Sequence, residues 1–171
     1  MKGWHKEPER HSLAARGITT TMNARGDSSV ERANRSCEKR IDAHMNGRIN
    51  HLRRVWDAYN GEPDPEGDYD EESLYDYGLS FDYVMPHTFG DEQHEGYFRY
   101  QLSWGGPSDE FRFYVGPNFT VYRIEYVFQD WFDGAKRTLS GSDYDLLSEI
   151  YDWFNDIGST QNEFDKARED Y

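Results

Sequence analysis

An α+β fold is what three features of this sequence predict: one long run of apolar residues at helical spacing, four short alternating segments joined by tight turns, and a second helical run after them. Their order gives a four-stranded antiparallel meander sheet with a long N-terminal helix and a C-terminal helix packed on one face. Only 36 % of the residues are hydrophobic, but ten Phe, five Trp and thirteen Tyr supply large rings that can build a core from few positions.

Residues 1–28 are polar, with Gly3, Pro8, Gly17 and Gly26 and no sustained apolar period, and read as a disordered leader in which Met22 offers a second candidate start. From Ser29 the pattern changes. Val30, Ala33, Cys37, Ile41, Met45, Ile49, Leu52, Trp56 and Tyr59 recur every three or four residues, the period of one helical face. Ser28 or Ser29 supplies the N-cap oxygen and Asn60-Gly61 the stop. Gly47 costs the helix interior about 1 kcal/mol relative to Ala, which makes it the place for a bend or break.

Residues 61–73 form an acidic linker that Pro63 and Pro65 keep from being helical. Leu79, Phe81, Tyr83 and Met85 then alternate with polar positions, as do Phe98, Tyr100, Leu102 and Trp104. After a Gly105-Gly106-Pro107-Ser108 turn, Phe111, Phe113 and Val115 carry a third strand. Past Gly116-Pro117-Asn118, Thr120, Tyr122, Ile124, Tyr126 and Phe128 carry a fourth. Connections this short force antiparallel hairpins. The segment Asp130-Trp-Phe-Asp-Gly-Ala135 ends the fourth strand, with Gly134 the expected positive-φ residue. Ser140 or Ser142 caps a last helix with a seam of Tyr144, Leu147, Ile150 or Tyr151, Phe154 and Ile157, closed by Gly158. The expected organisation is a leader over 1–28, a single domain over 29–158 and a polar tail over 159–171, which can fray or add a short helix around Phe164.

The net charge of −14 is unevenly spread: residues 1–56 carry +6 and residues 57–171 carry −20. The field of such a body repels polyanions, which excludes direct binding to nucleic acid and to anionic membranes. No apolar run reaches the roughly 18 residues of a membrane span, and the start lacks a signal-peptide segment. One cysteine, Cys37, excludes an intrachain disulfide framework and fits a reducing, cytoplasmic setting.

Signs of chemistry are few. His87 and His94 flank a loop with Asp91, Glu92 and Glu95, but the spacing matches no closed zinc motif. The acidic run lacks the Gly and bidentate Glu spacing of an EF-hand. Cys37 sits on the helix seam, about 10 Å along the helix from His44 and too far for direct activation. No Gly-x-Ser-x-Gly, Walker loop, dinucleotide fingerprint or His-Glu-x-x-His is present. The expectation is therefore no catalytic residue, no metal and no cofactor. What stands out is acid. Between Arg54 and Arg99 lie 44 residues without Lys or Arg. The candidate partner-binding residues are Glu62, Asp64, Glu66, Asp68, Asp70, Glu71, Glu72 and Asp76, then Asp91, Glu92 and Glu95, then Asp143, Asp145, Glu149, Asp152 and Asp156 of the last helix. Carboxylates displayed rigidly along one face can offer a DNA-binding groove a field comparable to that of a phosphate backbone.

The stretch Tyr97-Phe-Arg-Tyr-Gln-Leu-Ser-Trp-Gly-Gly-Pro-Ser-Asp-Glu-Phe-Arg-Phe-Tyr114, followed by Ile124-Glu-Tyr-Val-Phe-Gln-Asp-Trp-Phe-Asp-Gly-Ala135, resembles a family of small uncharacterised acidic proteins of phages, plasmids and other mobile elements. The resemblance covers roughly residues 50–155 and carries no functional residue with it. It implies a setting, since such proteins are similar in kind to anti-restriction and anti-CRISPR proteins that act as DNA mimics.

The reading that follows is a non-enzymatic protein of a bacterial host cell's cytoplasm that inhibits a host defence complex, restriction or CRISPR, by occupying its DNA-binding surface. One alternative is a small enzyme or ligand-binding domain with a pocket on the sheet, built from some of Asp82, Arg99, Arg112, Arg123 and His87. Another is an adaptor that binds a basic protein partner, with the first helix as a candidate homodimer interface.

Overall fold

The computed structural model describes residues 36–61 and 74–169, all within one compact unit. The leader, the first residues of the predicted N-terminal helix (29–35) and the 62–73 linker lie outside the described residues. Helix α1 (Cys37–Tyr59) runs unbroken through Gly47, so the expected break is absent. It is followed by a single helical turn, α2 (Leu74–Tyr77). Five strands come next: β1 (Ser80–Val84), β2 (Tyr97–Ser103), β3 (Ser108–Val115), β4 (Val121–Asp130) and β5 (Asp133–Thr138). Helix α3 (Gly141–Asp156) and helix α4 (Ser159–Glu169) close the chain.

The α+β class and the antiparallel meander are as expected, but the sheet has five strands in the order β1-β2-β3-β4-β5 rather than four. The missed strand is β5, paired to β4 from Glu125↔Thr138 to Asp130↔Asp133 across a two-residue turn. Positive φ in that turn belongs to Trp131 (58°), not to Gly134. The polar C-terminal segment is also more regular than a tail, because α4 spans eleven residues of it. Its anchor is Phe164, whose ring lies 4.9 Å from Tyr83 and 5.3 Å from Phe119 between centroids. Leu79, Met85 and Trp104 fall just outside the strands predicted to hold them.

Strand alternation sorts the sheet into two faces. Phe98, Tyr100 and Leu102 of β2, Phe111 and Phe113 of β3, and Ile124, Tyr126 and Phe128 of β4 are buried beneath the helices. Helix α1 covers this face with Cys37, Ile41, Ile49, Leu52 and Val55, all buried. The seam proposed as a dimer interface is thus used inside one chain. Helix α3 is fixed by rings: Phe154 stacks on Phe81 at 4.0 Å between centroids, and Tyr151 lies 5.7 Å from Phe98 and 5.2 Å from Phe113. Aromatic pairs of this kind contribute about 0.5–1.5 kcal/mol each beyond area burial. The inner face also holds a buried charge, Asp109 of β3, only 3 % exposed. Arg48 of α1 grips it with two hydrogen bonds, from Nε (2.6 Å) and Nη2 (3.0 Å), while the hydroxyls of Tyr126 (2.8 Å) and Ser103 donate to the same carboxylate. Burial alone would push the Asp109 carboxyl up, but these donors outweigh it and hold it below its ordinary value. The result is a polar pin joining α1 to the sheet.

Candidate functional site: an acidic helix face and an open sheet face

Helix α3 begins after Ser140, whose extended backbone serves as N-cap, and its buried Leu146, Leu147, Ile150, Tyr151, Trp153 and Phe154 turn one side to the core. The spacing leaves Asp145, Glu149, Asp152 and Asp156 in a row on the exposed side. At 1.5 Å per residue this row is about 16 Å long. Its members differ in what they touch. Glu149 accepts a hydrogen bond from the Trp56 indole (2.9 Å), whereas Asp145, Asp152 and Asp156 form no ion pair among the described residues. Partial burial, then the charges of Asp156 and Glu149, push the Asp152 carboxyl above its ordinary value. Asp143, two residues before Asp145, is neutralised by Arg53 at 3.1 Å.

The other predicted acids divide similarly. Asp91 and Glu92 are exposed in the loop between β1 and β2. That loop is held by the Gln93 side chain, which donates to the carbonyls of Met85 and Glu95 (both 2.9 Å) and accepts from the Phe89 amide (3.1 Å). Glu95 is committed within the protein: it accepts from the Tyr122 hydroxyl and from Arg123, each at 2.5 Å, and the Tyr122 bond followed by that of Arg123 keeps its carboxyl low. Asp76 is exposed on α2, while Glu62, Asp64, Glu66, Asp68, Asp70, Glu71 and Glu72 lie outside the described residues. His87 and His94 approach to 5.6 Å between ring centroids, but among the described residues no group of three or more His, Cys, Asp or Glu is arranged to hold a metal.

The Cys37 thiol donates to the Asp133 carbonyl at 3.4 Å. Burial, then the charge of Asp133, pushes the Cys37 thiol's pKa above its ordinary value, which lowers its thiolate fraction.

Among the described residues no helix covers the opposite face of the sheet, and its charges alternate in sign. Asp82 pairs with Arg99 (3.0 Å), Glu110 with Arg112 (2.6 Å), and the buried Glu125 with Lys136 (3.4 Å) while accepting from the Tyr114 hydroxyl (3.1 Å). Arg123 lies over the Tyr114 ring at 3.8 Å and Arg112 over the Tyr97 ring at 4.7 Å. Of the five residues expected to make a pocket here, Arg99 and Arg112 share one cleft and Asp82 holds Arg99. Arg123 turns to Glu95, and His87 belongs to the loop.

The turn after β2 and the turn before β5 meet at one end of the sheet. Gly105 (φ 140°), Gly106 and Ser108 on one side and Trp131, Phe132, Asp133 and Gly134 on the other line a cavity of about 630 Å³. A Cβ on Gly106 would lie 3.0 Å from the Trp131 indole nitrogen, close enough that the indole would have to shift by a few tenths of an ångström. Trp104, Trp131 and Phe132 stand 78 %, 76 % and 94 % exposed. Sequence reasoning missed this aromatic end because Trp131 and Phe132 read as the finish of a strand. The weak signal was the inward alternation of Ala135, Arg137 and Leu139 after them, which marks a returning strand.

No protein-family model, curated protein or solved structure matches the chain. Among the described residues no helix is long and apolar enough to cross a membrane.

Proposed function

We propose that this is a non-enzymatic inhibitor encoded by a mobile element, acting in the cytoplasm of a bacterial host by laying an acidic face on the nucleic-acid-binding surface of a host defence complex. The observation that carries the reading is the row Asp145, Glu149, Asp152 and Asp156, in which three carboxylates have no cation partner among the described residues, most of whose Lys and Arg are paired elsewhere. An unneutralised row on a rigid helix is available to an outside cation. Its spacing, one carboxylate per helical turn of about 5.4 Å, is sparser than the phosphate every 3.4 Å along one DNA strand, though of the same order. A fuller mimic recruits Asp91 and Glu92 and the acids of the 62–72 run. Ion pairing of this type gives fast, salt-sensitive association.

The test is capture of the tagged protein from a bacterial host, with a low-salt and then a high-salt wash and identification of the co-eluting chains. The expected result is a nucleic-acid-binding complex released by salt, which is lost when Asp145, Glu149, Asp152 and Asp156 are all changed to Lys in a variant with an unaltered circular dichroism spectrum. A folded charge-reversed variant that still captures the same complex overturns the reading.

A further inference from the structure

The open face of the sheet carries a second feature that the acidic row does not use. Arg99 of β2 and Arg112 of β3 are direct register partners on that face. Residues so placed hold their Cβ atoms about 4.5–5.5 Å apart, and like charges there repel unless something anionic intervenes. Asp82 and Glu110 answer only part of this. Arg99 donates to Asp82 through Nε and Nη2, and Arg112 donates to Glu110 through Nε alone. A guanidinium carries five N–H groups, and among the described residues Nη1 of Arg99 and both terminal nitrogens of Arg112 have no hydrogen-bond acceptor.

These donors border a cleft of about 390 Å³, within the range of about 300–1,000 Å³ typical of small-molecule sites. Phe89 and Trp104, both exposed, line the same cleft and offer flat apolar surface. Tyr97 lines it as well, fully buried, with the Arg112 guanidinium over its ring and its hydroxyl without a hydrogen-bond partner. A buried hydroxyl left unpaired is uncommon, and the arginine pair beside it presents solvent-accessible donors to an acceptor entering the cleft. The four charges nearest the cleft, two guanidinium and two carboxylate, balance. That favours a ligand with a single anionic group over a polyphosphate.

We infer that this cleft binds a small flat ring bearing one carboxylate or phosphate, with the anionic group on the Arg99–Arg112 fork and the ring against Trp104 and Phe89. The site is independent of the acidic helix face and of the inhibitor reading.

The test is titration of the full chain with two probes, adenosine 5′-monophosphate and indole-3-carboxylate, with adenosine and inorganic phosphate as the half-probes. The readouts are arginine Nε shifts in ¹H–¹⁵N spectra and tryptophan fluorescence. At least one whole probe is expected to bind saturably and at least about tenfold more tightly than either half-probe, and the tighter of the two names the anionic group. Arg112→Gln and Trp104→Ala each weaken it by about tenfold or more, and Asp152→Asn leaves it unchanged. The inference is overturned by no saturable response to either whole probe up to about 10 mM, by inorganic phosphate binding as tightly as the whole probes, or by an Arg112→Gln protein of native spectrum that binds them as well as the parent.

Discussion

The outer face of α3 and the open face of the sheet are both rich in ionisable groups, and they use them in opposite ways. On the sheet each acid has a base beside it: Asp82 with Arg99, Glu110 with Arg112, and Glu125 with Lys136. On α3 acids stand with acids, and the Asp152 carboxyl rises in consequence of its partial burial and of Asp156 and Glu149. Cross-strand neighbours of opposite sign stabilise a sheet locally, whereas a row of like charges on a helix costs stability and exports its field to solvent. A whole-chain charge of −14 therefore says little by itself about where a cationic partner would dock. What matters is which carboxylates have already been neutralised inside the fold.

The comparison is sharpest at the extreme of neutralisation, Asp109. Asp109→Ala leaves Arg48 facing a buried gap and strips the Tyr126 and Ser103 hydroxyls of their acceptor. Removing one partner of a buried pair costs about 3–5 kcal/mol, so the urea midpoint should fall steeply. A loss below about 1 kcal/mol would show that the pin is not the buried pair described. At the other end, Asp152→Asn removes a like charge from an exposed row. It should stabilise the protein at neutral pH by no more than about 0.5 kcal/mol, in the same urea experiment. The two contributions are of opposite sign, and both fade as pH falls. Asp109, whose folded value is lowered, contributes stability above its unfolded value that is lost as pH falls through the folded one. Asp152, whose folded value is raised, penalises the fold above that value, and the penalty disappears as pH falls below the unfolded one. The Asp152→Asn gain should accordingly vanish in acid.

Much of the fold was legible because its core is aromatic and alternating. Phe98, Tyr100 and Leu102, or Ile124, Tyr126 and Phe128, mark their strands without help from tertiary context. Strand β5 was not legible, since Asp-Gly-Ala-Lys-Arg-Thr is poor in strand formers. Its inward Arg137 is satisfied by Glu38 and Asp42 of α1, roughly a hundred residues earlier in the chain. Helix α4 was partly hidden for a similar reason, because its one aromatic, Phe164, gains meaning only from Tyr83 and Phe119 across the fold. The acidic set was legible as composition but not as a site. Asp143 and Asp145 look alike in sequence, yet Arg53 of α1 neutralises the first and nothing described neutralises the second.

The contrast between neutralised and unneutralised carboxylates is tested most directly by a carboxyl-resolved NMR titration of the whole protein. Asp109 should titrate below the ordinary carboxylate range and Asp152 above its ordinary value, with Glu95 shifted in the same direction as Asp109. Asp152 titrating at or below its ordinary value, level with Glu95, would mean that neither its burial nor its acidic neighbours dominate its surroundings, and would remove the basis for a cation-seeking face.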